Sequence, residues 1–208
     1  MEEDCEQIVF VVDDDESMRV ALTYLFKSMN LRVEVFSTAT TFLESKLPNI
    51  ASCLVLDIRL PGVNGLEFQT VLAKAGIHIP IVFMTGHGDI PMSVKAMKAG
   101  AIDFLPKPFR DQDMLDAVIR ALDQDRKRRC EEKAVSQLRH LFESLTRRER
   151  EVLPLVISGL MNKQIAYRLE ISEITVKIHR GHVMKKMEAR SLADLVRMTE
   201  ILGIKRTD

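Results

Sequence analysis

Cysteine is scarce in this chain of 208 residues: Cys5, Cys53 and Cys130 are odd in number, far apart and without a CxxC pair. That excludes a disulfide framework and a cysteine-built zinc module, and it fits a reducing compartment. No apolar run approaches the roughly 20 residues that a membrane-crossing helix needs. The opening residues 1–6 are acidic rather than basic-then-apolar, so neither export nor a membrane anchor is expected, and a cytoplasmic location is. Net charge is missing too, with 30 Lys+Arg against 30 Asp+Glu, but the zero is a cancellation. Residues 1–120 hold 11 basic and 17 acidic side chains, a net −6; the remaining 19 and 13 give residues 121–208 a net +6. An acidic module followed by one that favours polyanions is the simplest reading.

What the chain does have is apolar content, at 46%, enough for real cores. In the first half, short strand-like runs at residues 8–12, 32–36, 53–56, 81–85 and 102–105 alternate with helical patterns at 17–29, 40–46, 65–75, 92–99 and from 112 onward. Met18, Ala21, Leu22, Leu25, Phe26 and Met29 follow the spacing of one buried helix face. Near-continuous runs such as "CLVL" and "IVFM" suit strands covered on both sides. The pattern predicts an α/β fold, a doubly wound, five-stranded parallel sheet of flavodoxin-like order with helices on both faces. The second half has no strand signal. Residues 123–133, within "DQDRKRRCEEK", read as a solvated helical linker, followed by an all-α domain. Thr146 and Glu149 have capping-box spacing, Gly159 stops that helix, Asn162 and Ser172 can cap the next two, and a helix at "LADLVRMTEILG" closes the domain. A short helix, a tight turn and a longer basic helix make a helix-turn-helix. The expected domains are 1–122, a linker at 123–144, and 145–208.

The chemistry begins where the first strand ends in acids, "VVDDDES". Crowded carboxylates raise one another's pKa and cost folding energy. Asp14 or Asp15 could be a simple turn or helix cap; the other explanation is a cation. Ligands in doubly wound sheets sit beyond the carboxyl ends of the strands. That edge collects Asp13 and Asp14 from the first strand, Asp57 from the third, Thr85 from the fourth and Lys107 after the fifth. Three clustered anions in a partly dry site call for a hard cation such as Mg²⁺. An Asp beside a cation, a hydroxyl and an ammonium suggests phosphoryl transfer to the carboxylate, which needs no separate base. A dinucleotide enzyme would want G-x-G-x-x-G where "DDDESM" has no glycine, and a haloacid-dehalogenase-type phosphatase would want a second Asp where Arg59 stands.

"VVDDDESMR", "LVLDIRLPGVNG", "MTGHGD" and "DFLPKPF" together resemble the receiver domain of bacterial response regulators, in order and spacing. The resemblance implies Asp57 as phosphoacceptor, served by the phosphohistidine of a sensor histidine kinase. It implies Asp13, Asp14, Asp57 and the Arg59 backbone carbonyl as Mg²⁺ ligands, Thr85 and Lys107 as phosphate-contacting residues, Phe104 as the aromatic switch, and a cis Lys107–Pro108 bond. Asp15 matches no ligand position. The family is one of regulators, so the protein is not expected to be an enzyme.

In the last basic helix, Val176, Arg180, Val183 and Met187 share one side, a core face apart from Arg180, while Ile174, Lys177, Ile178, Gly181 and Lys185 point the other way. Isoleucines, lysines and a glycine on an outward face suit a helix laid in a major groove. A protein-interaction module is the rival reading of this half, separable by salt-dependent DNA binding. "LTRREREVL…GLMNKQIAYRLEISEITVKIHRGHVMKKM…RSLADLVR" resembles the LuxR/FixJ-type DNA-binding domain, and the whole chain resembles FixJ-type regulators, close to the NarL group. That implies base contacts from Lys177, Ile178 and Gly181 and phosphate contacts from Lys163 and Lys186, with Thr175, His182 and Lys185 completing the face. Gly181 departs from relatives, which often carry a long polar side chain there. His179 and His182 have no metal spacing with other ligands; His179 reads as packing and His182 as lying near phosphate. The implied partners are the kinase, double-stranded DNA, a second copy of the chain on phosphorylation, and RNA polymerase.

Overall fold

A computed structural model describes residues 6–86 and 90–205. The chain divides into two compact units, Met1–Arg129 and Cys130–Asp208.

The first unit runs β1 (Gln7–Val12), α1 (Glu16–Ser28), β2 (Arg32–Phe36), α2 (Ala39–Glu44), β3 (Ala51–Asp57), a ribbon of two-residue strands β4 (Arg59–Leu60) and β5 (Val63–Asn64), α3 (Gly65–Lys74), β6 (Ile81–Thr85), α4 (Ile90–Lys98), β7 (Asp103–Pro106) and the start of α5 (Asp111–Glu143), whose remaining residues belong to the second unit. β2, β1, β3, β6 and β7 form one parallel sheet in that order, the flavodoxin-like arrangement. Alternate residues of each central strand feed opposite faces. Phe10, Leu54, Leu56 and Phe83 pack with Phe42 of α2 and Phe68 of α3; Val9, Val11, Val55 and Met84 pack with Phe26 of α1 and Val118 of α5. Two dry faces explain why these strands read as unbroken apolar runs.

Several expectations shift. Ala21 and Met29 are exposed rather than on the buried face of α1, which consists of Leu22 and Phe26 with Met18 and Leu25 packed beside them, and Met29 has become the C-cap. Asp15 is the N-cap of α1, accepting from the Ser17 N–H at 2.8 Å, which accounts for the third acid of the triplet. The stretch expected to be a solvated helical linker is helical, part of α5, and mostly exposed, but its Asp125 is fully buried. Asp125 accepts from the Ser52 N–H at the start of β3 and from Arg128 and Arg129, and Arg129 also reaches Asn49. Burial works against the Asp125 charge, but these donors outweigh it and hold the carboxyl below its ordinary pKa. The charged run is thus partly a clamp on the sheet.

The second unit contains α6 (Arg147–Ile157), α7 (Asn162–Leu169), α8 (Glu173–Lys186) and α9 (Leu192–Ile201) around Val152, Leu153, Ile165, Val176, Val183, Met187 and Leu195. The Thr146–Glu149 capping box forms, and Ser172 caps α8. Asn162 does not cap α7: Met161 holds that position, Gln164 accepts its N–H, and Asn162 accepts from Arg180 at 2.8 Å instead. That bond gives the half-buried Arg180 of α8 a partner on α7.

Candidate phosphoacceptor pocket and nucleic-acid interface

Strand register assembles the pocket. Val12 lies opposite Leu56, so the next residues, Asp13 and Asp57, come side by side; Asp57 pairs Met84, and Thr85 pairs Pro106, one residue before Lys107. Four strands therefore deliver their chemistry to one edge without any loop having to reach. Asp13 is fully buried, Asp57 is 7% exposed, Thr85 is buried, and Asp14 is exposed. One carboxylate oxygen from each of Asp13, Asp14 and Asp57 lies within 4.8 Å of the others.

Lys107 joins the acids. Its Nζ donates to Asp13 Oδ2 at 2.7 Å and to Asp57 Oδ2 at 2.6 Å. The other oxygens accept backbone N–H groups, Asp13 Oδ1 from Asp15 and Asp57 Oδ1 from Arg59, both at 2.9 Å. Burial pushes the Asp13 carboxyl above its ordinary pKa despite the ammonium beside it. Burial would lower the Lys107 pKa, but its two carboxylate bonds prevail and raise it. A pocket in which one ammonium leaves a buried carboxyl incompletely compensated has room, electrostatically, for more positive charge. Three carboxylates without imidazole or thiolate are the donor chemistry of a hard divalent ion, so the residues fit Mg²⁺.

Supporting residues fix the geometry. Lys107 N–H donates to Thr85 O at 2.6 Å, and the Lys107–Pro108 bond is cis. Arg19 donates to the Asp13 carbonyl at 2.7 Å, a contact the sequence reading missed. Gly65 donates to Ile58 O at 2.9 Å, and a Cβ there would stand 2.9 Å from Ile58 Cα and 3.0 Å from Asp57 O. Glycine lets α3 start against the Asp57 loop. Phe104 is half-buried on β7, packed against the core face shared with α4. Residues 87–89 of "MTGHGD" lie outside the described residues.

In the second unit, α7 ends in a left-handed residue, Glu170 (φ 54°), and Ile171 N–H closes the turn onto Ala166 O before α8 begins. Ile174 is 74% exposed and Ile178 51%, with Lys177, Gly181, Lys185 and Lys163 exposed beside them. Apolar side chains displayed to this degree on a helix flanked by lysines are a surface made to be covered. Thr175 is half-buried; its N–H donates to Ser172 Oγ, and the two hydroxyls lie 2.8 Å apart. Lys186 differs from the other lysines, since its ammonium donates to Glu149 at 2.7 Å and to Ser144 O at 3.3 Å. His182 lies 3.5 Å from Glu149. Tyr167 on α7, 89% exposed, is a further display residue that the sequence reading passed over.

Residues 9–119 match the response regulator receiver domain, and residues 143–199 match the luxR family of bacterial regulatory proteins. Nodulation protein W of Bradyrhizobium diazoefficiens is 62% identical over 197 residues, covering 95% of this chain and 87% of that protein. The transcriptional regulatory protein FixJ of Azorhizobium caulinodans is 42% identical, covering 96% of this chain and 95% of that one. Among solved structures, the response regulator StyR is similar with a TM-score of 0.87 and 53% identity, over 94% of this chain and 98% of that one. An acid pocket at the carboxyl edge of a flavodoxin-like sheet, followed by a helix-turn-helix unit, defines a receiver-type regulator. The chain belongs to the two-component response regulators that carry a LuxR-type DNA-binding domain.

Proposed function

We propose that Asp57 accepts a phosphoryl group from the phosphohistidine of a sensor histidine kinase, and that its phosphorylation promotes pairing of two chains and sequence-specific DNA binding. The observation that carries this reading is the convergence of Lys107 on both Asp13 and Asp57, at 2.7 and 2.6 Å. Asp57 accepts from Lys107 Nζ on Oδ2 and from the Arg59 N–H on Oδ1, which aims its carboxylate for direct attack on phosphorus. A P–O bond forms as the P–N bond breaks, with the imidazole as leaving group and no proton to be taken from the nucleophile. Lys107, already on Asp57 Oδ2, offsets charge on the transferring oxygens. Thr85, one strand over, supplies a hydroxyl to the product. Asp13, Asp14, Asp57 and the Arg59 carbonyl would hold Mg²⁺, which supplies Lewis-acid charge neutralisation for phosphoryl transfer.

Thr85 and Phe104 lie on the two strands that border α4 and α5, so their reorientation would change the face built from α4, β7 and the first turns of α5. That face is the proposed pairing surface. Two chains then present two copies of α8, with Lys177, Ile178, Gly181, Thr175 and Lys185 toward base edges and Lys163 toward phosphate, in a cytoplasmic setting where kinase, DNA and RNA polymerase are all accessible. Mg²⁺-dependent labelling by a small phosphodonor tests the centre of this reading: wild type is labelled and Asp57→Asn is not, and labelled protein footprints DNA at lower concentration. Label retained in the variant would refute the assignment. Sedimentation with and without a phosphoryl mimic tests pairing; unchanged mass and unchanged DNA affinity would rule it out.

A further inference from the structure

The second unit brings together three metal-ligating groups that the phosphoacceptor pocket does not use. Glu149 on α6 and His179 and His182 on α8 each offer a ligand atom, all within 4.8 Å of one another. No sequence spacing announces this set: the histidines are three apart on one helix, and the glutamate, thirty residues earlier, is recruited by helix packing. The division of labour on Glu149 is informative. Its Oε2 accepts from the Thr146 N–H at 2.8 Å and from Lys186 Nζ at 2.7 Å, which fixes the carboxylate. Its Oε1 faces His182 Nδ1 at 3.5 Å, beyond hydrogen-bonding distance. Two ligands about 2.0–2.1 Å from a tetrahedral ion stand roughly 3.4 Å apart, close to that gap. A second observation points the same way. His179 Nδ1 is buried and has no hydrogen-bond partner among the described residues, a rare state for an imidazole nitrogen.

We propose that Glu149, His179 and His182 form a site for a zinc-class divalent cation between α6 and α8. Two imidazoles and one carboxylate suit a borderline transition metal rather than Mg²⁺ or Ca²⁺, and three protein ligands leave a fourth position for water. His182 is the adjustable ligand: its side chain is 58% exposed, whereas that of Glu149 is 3% exposed and bonded in place. The ammonium of Lys186 on the opposite carboxylate oxygen shares the same negative charge, which limits the affinity and couples the cation to a lysine at the C-terminal end of the reading helix. A bound cation would tie α6 to α8 and weaken the hold of Glu149 on Lys186.

Cobalt(II) titration of the full chain, with Mg²⁺ in large excess to fill the three-aspartate pocket, tests the site. Saturable d–d absorption with one ion per chain is expected, displaced by zinc, together with zinc-induced shifts of the His179 and His182 imidazole resonances. His182→Asn, at an exposed position, weakens cobalt binding roughly tenfold or more with the urea midpoint of the metal-free chain unchanged, a loss on the scale seen when a single supporting interaction of a metal site is removed. His179→Gln gives the same loss from the half-buried ligand. Absorption that persists unchanged in His182→Asn, or no saturable binding in wild type, overturns the proposal.

Discussion

Lys107 stands between two carboxylates that would otherwise repel, and this makes it a structural residue before any phosphate arrives. Its side chain is 18% exposed and those of Asp13 and Asp57 0% and 10%, so screening by water is weak. Removing one partner from a largely buried ionic group leaves uncompensated charge, which costs about 3 kcal/mol. Lys107→Ala is therefore expected to lower stability by about that amount in magnesium-free buffer, measured by urea unfolding. Mg²⁺ should restore more stability to the variant than it adds to wild type, because it binds a pocket that has lost its resident cation. An equal Mg²⁺ effect on both proteins would show that Lys107 and the metal answer different charges. Gly65 acts at the same scale by shape. A methyl group there would meet backbone at 2.9 Å from Ile58 Cα and 3.0 Å from Asp57 O, and the ring of the buried Phe83 at 3.3 Å. Gly65→Ala should cost about 1–3 kcal/mol by overpacking and slow labelling of Asp57 by shifting its loop; a lower urea midpoint with a normal labelling rate would confine the effect to packing.

Among the elements, α5 departs furthest from what its composition suggests. A run of aspartates and arginines reads as solvent-facing, and most of it is, but Asp125 turns inward to the N–H of Ser52, the second residue of β3. Nothing in local sequence marks which acid of a charged helix meets a sheet edge, since the answer depends on where the helix axis crosses that edge. Asp125→Asn should destabilise the first unit by about 2–4 kcal/mol, because Arg128, Arg129 and the Ser52 N–H all lose a charged acceptor. The sign of its pH dependence follows from its depressed folded pKa. The contribution is full above the unfolded value near 3.8 and fades as pH falls through the lower folded value. The gap between wild type and variant should thus begin to narrow as pH falls below about 4 and close only below the folded value, as measured by denaturant titration at stepped pH; parallel curves throughout would deny Asp125 that role. The sheet was legible by contrast, because two-sided burial forces long apolar runs and register then delivers Asp13, Asp57, Thr85 and Lys107 to one edge. Helix caps were legible where the capping residue serves itself, as at Thr146 and Ser172. They were not where a distant partner competes, as Arg180 does for Asn162.

For the molecule as a whole, a formal charge of zero conceals −6 over residues 1–120 and +6 over 121–208, and the basic half carries the exposed lysines expected to face a polyanion. Binding that neutralises phosphates releases counterions, so log affinity should fall linearly with log salt, by about 0.9 for each contacted phosphate. The structure separates two lysines that sequence reading treated alike. Lys163 is exposed, whereas Lys186 is engaged by Glu149 and Ser144 and stands further from being a free phosphate ligand. Lys163→Ala should therefore flatten the salt slope, by about 0.9 if one chain occupies the site and about 1.8 if two do. Lys186→Ala should change the slope less while lowering the stability of the second unit, since it strips a buried carboxylate of its cation. Fluorescence anisotropy on one operator fragment across a salt series, with unphosphorylated and phosphorylated protein, reads both quantities at once. A loss near 1.8 on phosphorylation, with the Lys186 variant nearly parallel to wild type, would mean that two reading helices dock together and that Lys186 serves the fold; equal slopes for all three proteins would remove Lys163 from the DNA face.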